Sequence, residues 1–186
     1  MQTSQCREKG RMEPFQEYLS EYREQLKNGA VKRAYQGLMG YFNDLRAYLK
    51  NKYPNYFLSG SVHFGQMDYT YFYFFPKTLK RQKMKIVILF IHDAFRFEVW
   101  LAGYNRAVQA KYWRLFKENN WNKHHLAPAT AGVDYITTAV LVDNPDFGDL
   151  DALTNQIETG TLKFIRDIET FLSITMKNDF GAKLVA

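Results

Sequence analysis

Apolar residues fall at Phe15, Tyr18, Leu19, Tyr22 and Leu26, the three- and four-residue steps that lay one stripe along a helix. Pro14 suits the first turn, where a missing N–H costs nothing. Asn28-Gly29 breaks the pattern, and a second stripe runs through Val31, Tyr35, Leu38, Phe42, Leu45 and Leu49. Two amphipathic helices with so short a link predict an antiparallel hairpin. Gly37 and Gly40 lie inside the second stripe, each about 1 kcal/mol less favourable than Ala in a helix. Close approach of another backbone element, or simple tolerance, would account for them.

Past "KNKYPNY" the period drops from 3.6 to 2. "NYFLSGSVHFG" and "MDYTYFYFFP" read as strands, the second with Tyr69, Tyr71, Tyr73 and Phe75 on one side and Asp68, Thr70, Phe72 and Phe74 on the other. "KTLKRQK" is a charged connection, and Lys77, Lys80, Arg81, Lys83 and Lys85 crowd around it. "MKIVILFI" lacks polar alternation, which predicts a central strand covered on both faces. A tight turn at His92-Asp93-Ala94 leads into "FRFEVWLA", so the strands form an antiparallel meander. There Phe95, Phe97, Val99 and Leu101 are expected in the core, with Arg96, Glu98 and Trp100 on the opposite side.

The helical period returns over residues 104–119, with Val108, Tyr112, Leu115 and Phe116 as its stripe. "NNWNKHHLAPATAG" is a loop, "VDYITTAVLV" a strand and "DNPDFGD" its turn. One long helix through Gly160 closes the chain, carrying Leu150, Leu153, Ile157, Thr161, Ile165, Ile168 and Leu172, with Asp149 as candidate N-cap. The fold class is α+β: an antiparallel sheet of about five strands packed against an N-terminal helical hairpin and C-terminal helices.

Composition alters this picture little. A chain of 186 residues fits one domain able to bury roughly 70% of its unfolded surface, and residues 12–176 are its expected extent. Residues 1–11 look unlike the rest and read as a loose leader or cloning remnant; residues 177–186 read as a tail. The net charge is +6, but the leader holds three cations against one acid, leaving a body of +4. That charge is compatible with weak nucleic-acid binding and with ordinary solubility. Cys6 is the only cysteine, so an internal disulfide or cysteine zinc site is excluded. No apolar run approaches the length that spans a bilayer, and no secretory signal opens the chain. The expected setting is the cytoplasm, with no membrane partner.

Five stretches, "AYQGLMGYFNDLR", "NKYPNYFLSGSVHFGQMDYTYF", "FRFEVWLAGYNRAVQAKYW", "LVDNPDFGDLDALT" and "IETGTLKFIRDIE", resemble a family of small, mostly bacterial proteins catalogued as a domain of unknown function. The resemblance covers residues 13–172. It implies a stand-alone intracellular domain and brings no catalytic residue to any position.

The familiar hydrolytic and phosphate-binding motifs are absent: there is no G-x-S-x-G, G-x-x-x-x-G-K-[ST] or G-x-G-x-x-G. The histidines His63, His92, His124 and His125 lack a zinc-ligand spacing, so no metal, cofactor or catalytic residue is assigned. The mixed face of Arg96, Glu98 and Trp100 is more informative. Its neighbour strand brings aliphatic groups to the same side, and buried charges there must be paired. Either the C-terminal helix covers this face, the more economical arrangement, or it floors a partly dry groove.

In the second case Arg96 and Arg106 offer forked donors, Trp100 and Tyr71 flat surfaces, and Asn105 and Gln109 amides. This supports a non-enzymatic domain that binds a partner or a small anionic or aromatic ligand, through Arg96, Glu98, Trp100, Asn105, Arg106, Gln109 and Tyr71. Two alternatives stay open. One is a metal-dependent hydrolase of nucleic acid or nucleotide using Asp68, Glu98 and His92; the other is a homodimer formed through an exposed aromatic sheet edge.

Overall fold

The structure, a computed structural model, describes residues 14–129 and 132–183, with side chains described as far as residue 175. The expected leader with Cys6, and residues 184–186 of the expected tail, lie outside the described residues. The chain divides into two compact units, Met1–Tyr41 and Phe42–Ala186.

The first unit holds α1 (Phe15–Asn28) and the opening of α2 (Ala30–Lys52). Pro14 occupies the N-cap of α1, and Gly29 ends it in the left-handed region at φ 72°, its N–H reaching the carbonyls of Gln25 and Leu26. An L side chain is strained at that φ, which is why the break falls on a glycine. A Cβ at Gly37 or Gly40 would meet nothing within 4 Å, so tolerance, not close packing, accounts for both.

The second unit begins at Phe42 and continues through β1 (Phe57–Leu58), β2 (His63–Phe64), β3 (Tyr69–Phe75), α3 (Lys77–Arg81), β4 (Met84–Ile91), β5 (Arg96–Gly103), α4 (Arg106–Glu118), β6 (His125–Leu126), β7 (Thr137–Asp143) and α5 (Leu150–Lys183). All pairings are antiparallel, in the order β1-β3-β4-β5-β7-β6, with β2 also on β3. The fold is α+β, with seven strands where the sequence pattern suggests about five. One extra strand arises because "NYFLSGSVHFG" is two short strands. Ser59 interrupts it by turning its hydroxyl to Ser61 O and accepting Tyr73 N–H, while Arg46 of α2 binds the carbonyls of Ser59 and Gly60. The other is β6, two residues long inside an apparent loop.

One sheet face is the core. Phe72, Ile86, Ile88, Phe90, Phe97, Val99 and Leu101 are buried there with Phe42, Leu45 and Leu49 of α2 and Leu153, Ile157, Phe164, Ile165 and Ile168 of α5. Phe42 stacks on Phe97 at 5.5 Å and meets Phe72 edge-on at 6.0 Å. A bulge between Phe97 and Glu98 leaves Leu141 as the extra residue of β7. Its Cδ2 sits where a Cβ on Gly160 would be, 2.7 Å away, so the glycine inside α5 seats the bulge. Asp149 caps α5 as anticipated, accepting from Ala152 N–H at 3.0 Å. Glu158 of α5, almost fully buried, receives Tyr48, Lys52 and Tyr53 and clamps this helix to the C-terminal part of α2.

Phe95 departs from expectation. Ile91 pairs directly with Arg96, so the chain must reverse within residues 92–95. Phe95 takes the left-handed turn position at φ 48° and is 49% exposed, lying against the rings of Phe90 and Phe147.

Candidate functional site

Strand register sets the composition of the second sheet face. Residues directly opposite in antiparallel pairs share a face, and three cross-strand rows result. The first is Tyr69, Ile91, Arg96 and Asp143; the second Tyr71, Leu89, Glu98 and Val140; the third Tyr73, Val87, Trp100 and Thr138. Lys85 and Ala102 form the start of a fourth. Among the described residues none of α5 lines this face, and the helix anticipated to cover it packs instead on the core side.

The strand β4 is nevertheless buried on both sides. Val87, Leu89 and Ala102 are no more than 7% exposed, because Tyr71, Tyr73, Ile91 and Trp100 lean over them. Aromatic side chains of the neighbouring strands supply the cover that a helix supplies on the other face.

Trp100 forms a ridge. It packs against Tyr135 at 4.9 Å and edge-on against Tyr69 at 5.5 Å, and it separates two grooves. The first, about 480 Å³, runs over Tyr71, Tyr73, Lys85, Val87, Leu89 and Ala102 to the start of α4. The second, about 510 Å³, lies over Arg96, Glu98, Tyr135, Thr138 and Val140 beside His124 and His125. All seven residues anticipated for binding line one groove or the other: Tyr71, Asn105, Arg106 and Gln109 the first, Arg96 and Glu98 the second, and Trp100 both.

Their polar groups are largely engaged. Glu98, 5% exposed, accepts from Arg96 Nη2 at 2.5 Å, Trp100 Nε1 at 2.6 Å and Thr138 Oγ1 at 3.1 Å. Arg106 donates to Val133 O at 2.8 Å and to Asp134 Oδ1 at 3.1 Å. Asn105 is the N-cap of α4, accepting from Val108 N–H, the role such a side chain plays ahead of a helix. Gln109 bridges Gly103 N–H and Val133 O. These bonds hold the groove's shape.

Lys85 differs. Its Nζ donates to Tyr73 Oη at 3.3 Å and lies 4.6 Å from that ring's centroid. Among the described residues no carboxylate approaches it within ion-pair distance. The sequence shows it only as one of five clustered cations. Register alone places it beside the aliphatic floor, away from Lys77, Lys80 and Arg81 on α3.

Burial, seconded by the hydrogen bond with Tyr73, pushes the Tyr71 phenol above its ordinary value. Burial likewise raises Tyr104, and raises Tyr135 with help from the Glu98 charge. At neutral pH Tyr71, Tyr104 and Tyr135 are therefore protonated hydrogen-bonding groups.

Asp68, Glu98 and His92 do not come together. Glu98 faces the grooves, whereas His92 bonds Thr70 Oγ1 at 2.9 Å on the core side, where burial lowers its pKa. His63 stacks on Tyr71 at 4.9 Å, across the sheet from His92. His124 pairs with Asp167, and burial lowers its pKa against that carboxylate's pull. Among the described residues no group of three or more His, Cys, Asp and Glu side chains could hold a metal ion. Nor is any described helix long and apolar enough to cross a membrane.

No curated protein and no solved structure matches the chain. One family model does, over residues 15–172, close to the limits that the sequence motifs suggest. The chain belongs to the family described as domain of unknown function DUF7000.

Proposed function

We propose that the protein is a cytosolic binding domain whose ligand is a small molecule with a flat, partly apolar body, held on the Tyr71/Tyr73/Trp100 face of the sheet. The observation that carries this reading is the uncovered second face. It has an aliphatic floor and aromatic walls, and among the described residues none of α5 lines it. Concave, mostly apolar sites with a few fixed polar groups are the usual form of small-molecule pockets. The shape is built in advance, because Glu98, Asn105 and Gln109 already hold the walls. A ligand therefore pays little ordering cost on entry.

Ala102 offers a direct test, since it is a small floor residue whose Cβ points into the first groove. Ala102→Leu should fill the groove without disturbing the core on the far side. Saturation-transfer NMR with naphthalene-2-methanol and 2-naphthoate should show contact with the wild type and none with the variant, at a temperature where both are folded, since crowding the rings over Ala102 should cost about 1–3 kcal/mol. Equal contact in both proteins, or none with the wild type, would refute the groove. Native mass spectrometry of protein from its own host would then identify the resident molecule.

A further inference from the structure

We infer that the ligand of the first groove carries a single negative charge, an aromatic monocarboxylate by class, and that Lys85 is the residue that binds the charge. The inference rests on the groove reading above and goes beyond it by naming the anchor and the charge.

The argument is by accounting for cations on this face. Arg96 is committed to Glu98, and Arg106 to Asp134 and Val133 O. A ligand anion recruiting Arg96 would have to displace the nearly buried Glu98, whereas the Arg106–Asp134 pair is solvent-exposed on both sides and lies out at the rim, where an anion gains little from it. The ammonium of Lys85 has three N–H donors, and Tyr73 takes one of them. The Tyr73 hydroxyl orients this cation without pairing its charge with a carboxylate. Lys85 is half-buried at one end of the Val87–Ala102 floor, where water competes less for its remaining donors.

The same geometry sets the rest of the ligand. A carboxylate at Nζ leaves an attached ring to lie along β4 against Tyr71, Tyr73 and Trp100, the rings that cover Val87 and Leu89. Stacking against those rings favours an aromatic body. A volume of about 480 Å³ admits one or two fused rings with a short side chain. The rim limits the charge. Asp68 and Asp134 line the groove, and among its described lining residues the one further cation, Arg106, already faces Asp134, so a second or third negative charge would meet carboxylates. Nucleoside polyphosphates and nucleic-acid backbones are disfavoured on that ground.

Isothermal titration of 2-naphthoate, naphthalene-2-methanol and ATP into the wild type and Lys85→Met tests this. Methionine keeps an apolar stem over Tyr73 and removes the charge. The acid should bind the wild type at least about tenfold more tightly than the alcohol, the scale of one charge-assisted hydrogen bond. Lys85→Met should abolish that preference and leave the alcohol unchanged, Lys85→Arg should retain it, and ATP should bind no better than the acid. Equal affinity of acid and alcohol, or a preference surviving Lys85→Met, overturns the anchor while the groove stands. ATP binding more tightly than the acid overturns the charge limit. Binding of neither naphthyl compound overturns this inference and the groove together.

Discussion

The Arg96–Glu98 pair makes a quantitative demand on the open sheet face. Glu98→Gln retains an oxygen for Trp100 Nε1 and Thr138 Oγ1 but points an amide donor at the Arg96 guanidinium, 2.5 Å away in the wild type. Arg96 Nε is already buried without an acceptor, so the arginine then keeps no side-chain partner among the described residues. Breaking a buried ion pair costs about 3–5 kcal/mol. The Arg96 side chain is 38% exposed, so rehydration reduces this to about 2–3 kcal/mol. Arg96→Met strands a carboxylate that is 6% exposed, and its cost should be about 3 kcal/mol. The double variant removes both charges and leaves the new amide oxygen accepting from Trp100 and Thr138, so it should lie within about 1 kcal/mol of wild type. Urea denaturation of the four proteins measures this, with Tm falling by about 5–10 °C in each single variant. Additive losses, or single variants each costing under about 0.5 kcal/mol, would show that the pair is a solvated surface contact and the reasoning mistaken.

Other outcomes are open to measurement. Burial alone would raise Glu158, but donors from Lys52, Tyr53 and Tyr48 hold it below the ordinary carboxylate value, and burial with the same carboxylate pushes Tyr53 up to about 12. A depressed folded pKa contributes stability that is fully present above the unfolded value of about 4.3 and lost as pH falls through the folded one. Wild type should thus exceed Glu158→Gln at pH 7 by about 2 kcal/mol, with the gap closing on acidification below pH 4; a gap independent of pH would contradict this assignment. Gly103→Ala should cost more than about 3 kcal/mol, because its Cβ would lie 2.5 Å from the Gln109 backbone nitrogen. Gly37→Ala and Gly40→Ala, with open space around each Cβ, should each stabilise by up to about 1 kcal/mol, and thermal unfolding that reversed this order would refute the distinction. Any binding of single-stranded nucleic acid should be electrostatic, through Lys77, Lys80 and Arg81 on α3, and should weaken at least about tenfold between 50 and 200 mM salt. Salt-independent binding, or binding abolished by Trp100→Ala, would place the interaction elsewhere.

Local pattern was enough for the elements whose causes are local. The stripes of α2, α4 and α5, the break at Gly29, the cap at Asp149 and the alternation of β3 and β5 are all written in residues a few positions apart. So was the sidedness of β5, where Phe97, Val99 and Leu101 are fully buried while Arg96 and Trp100 reach the grooves. Phe95 belonged to the same alternation, but a reversal forced by the Ile91–Arg96 pairing overrode it.

Tertiary structure alone decided what lies across from what. An all-apolar β4 demands cover on both faces, and local pattern cannot tell a helix from a row of leaning aromatic rings; here α5 took one face and Tyr71, Tyr73 and Trp100 the other. The roles of the charged residues were hidden for the same reason. Whether Arg96, Arg106 or Lys85 keeps its charge for a ligand depends on which carboxylate comes within a few ångströms. Register, the β7 bulge and the loop carrying Asp134 set that distance, and none of them is encoded in the neighbourhood of the cation itself.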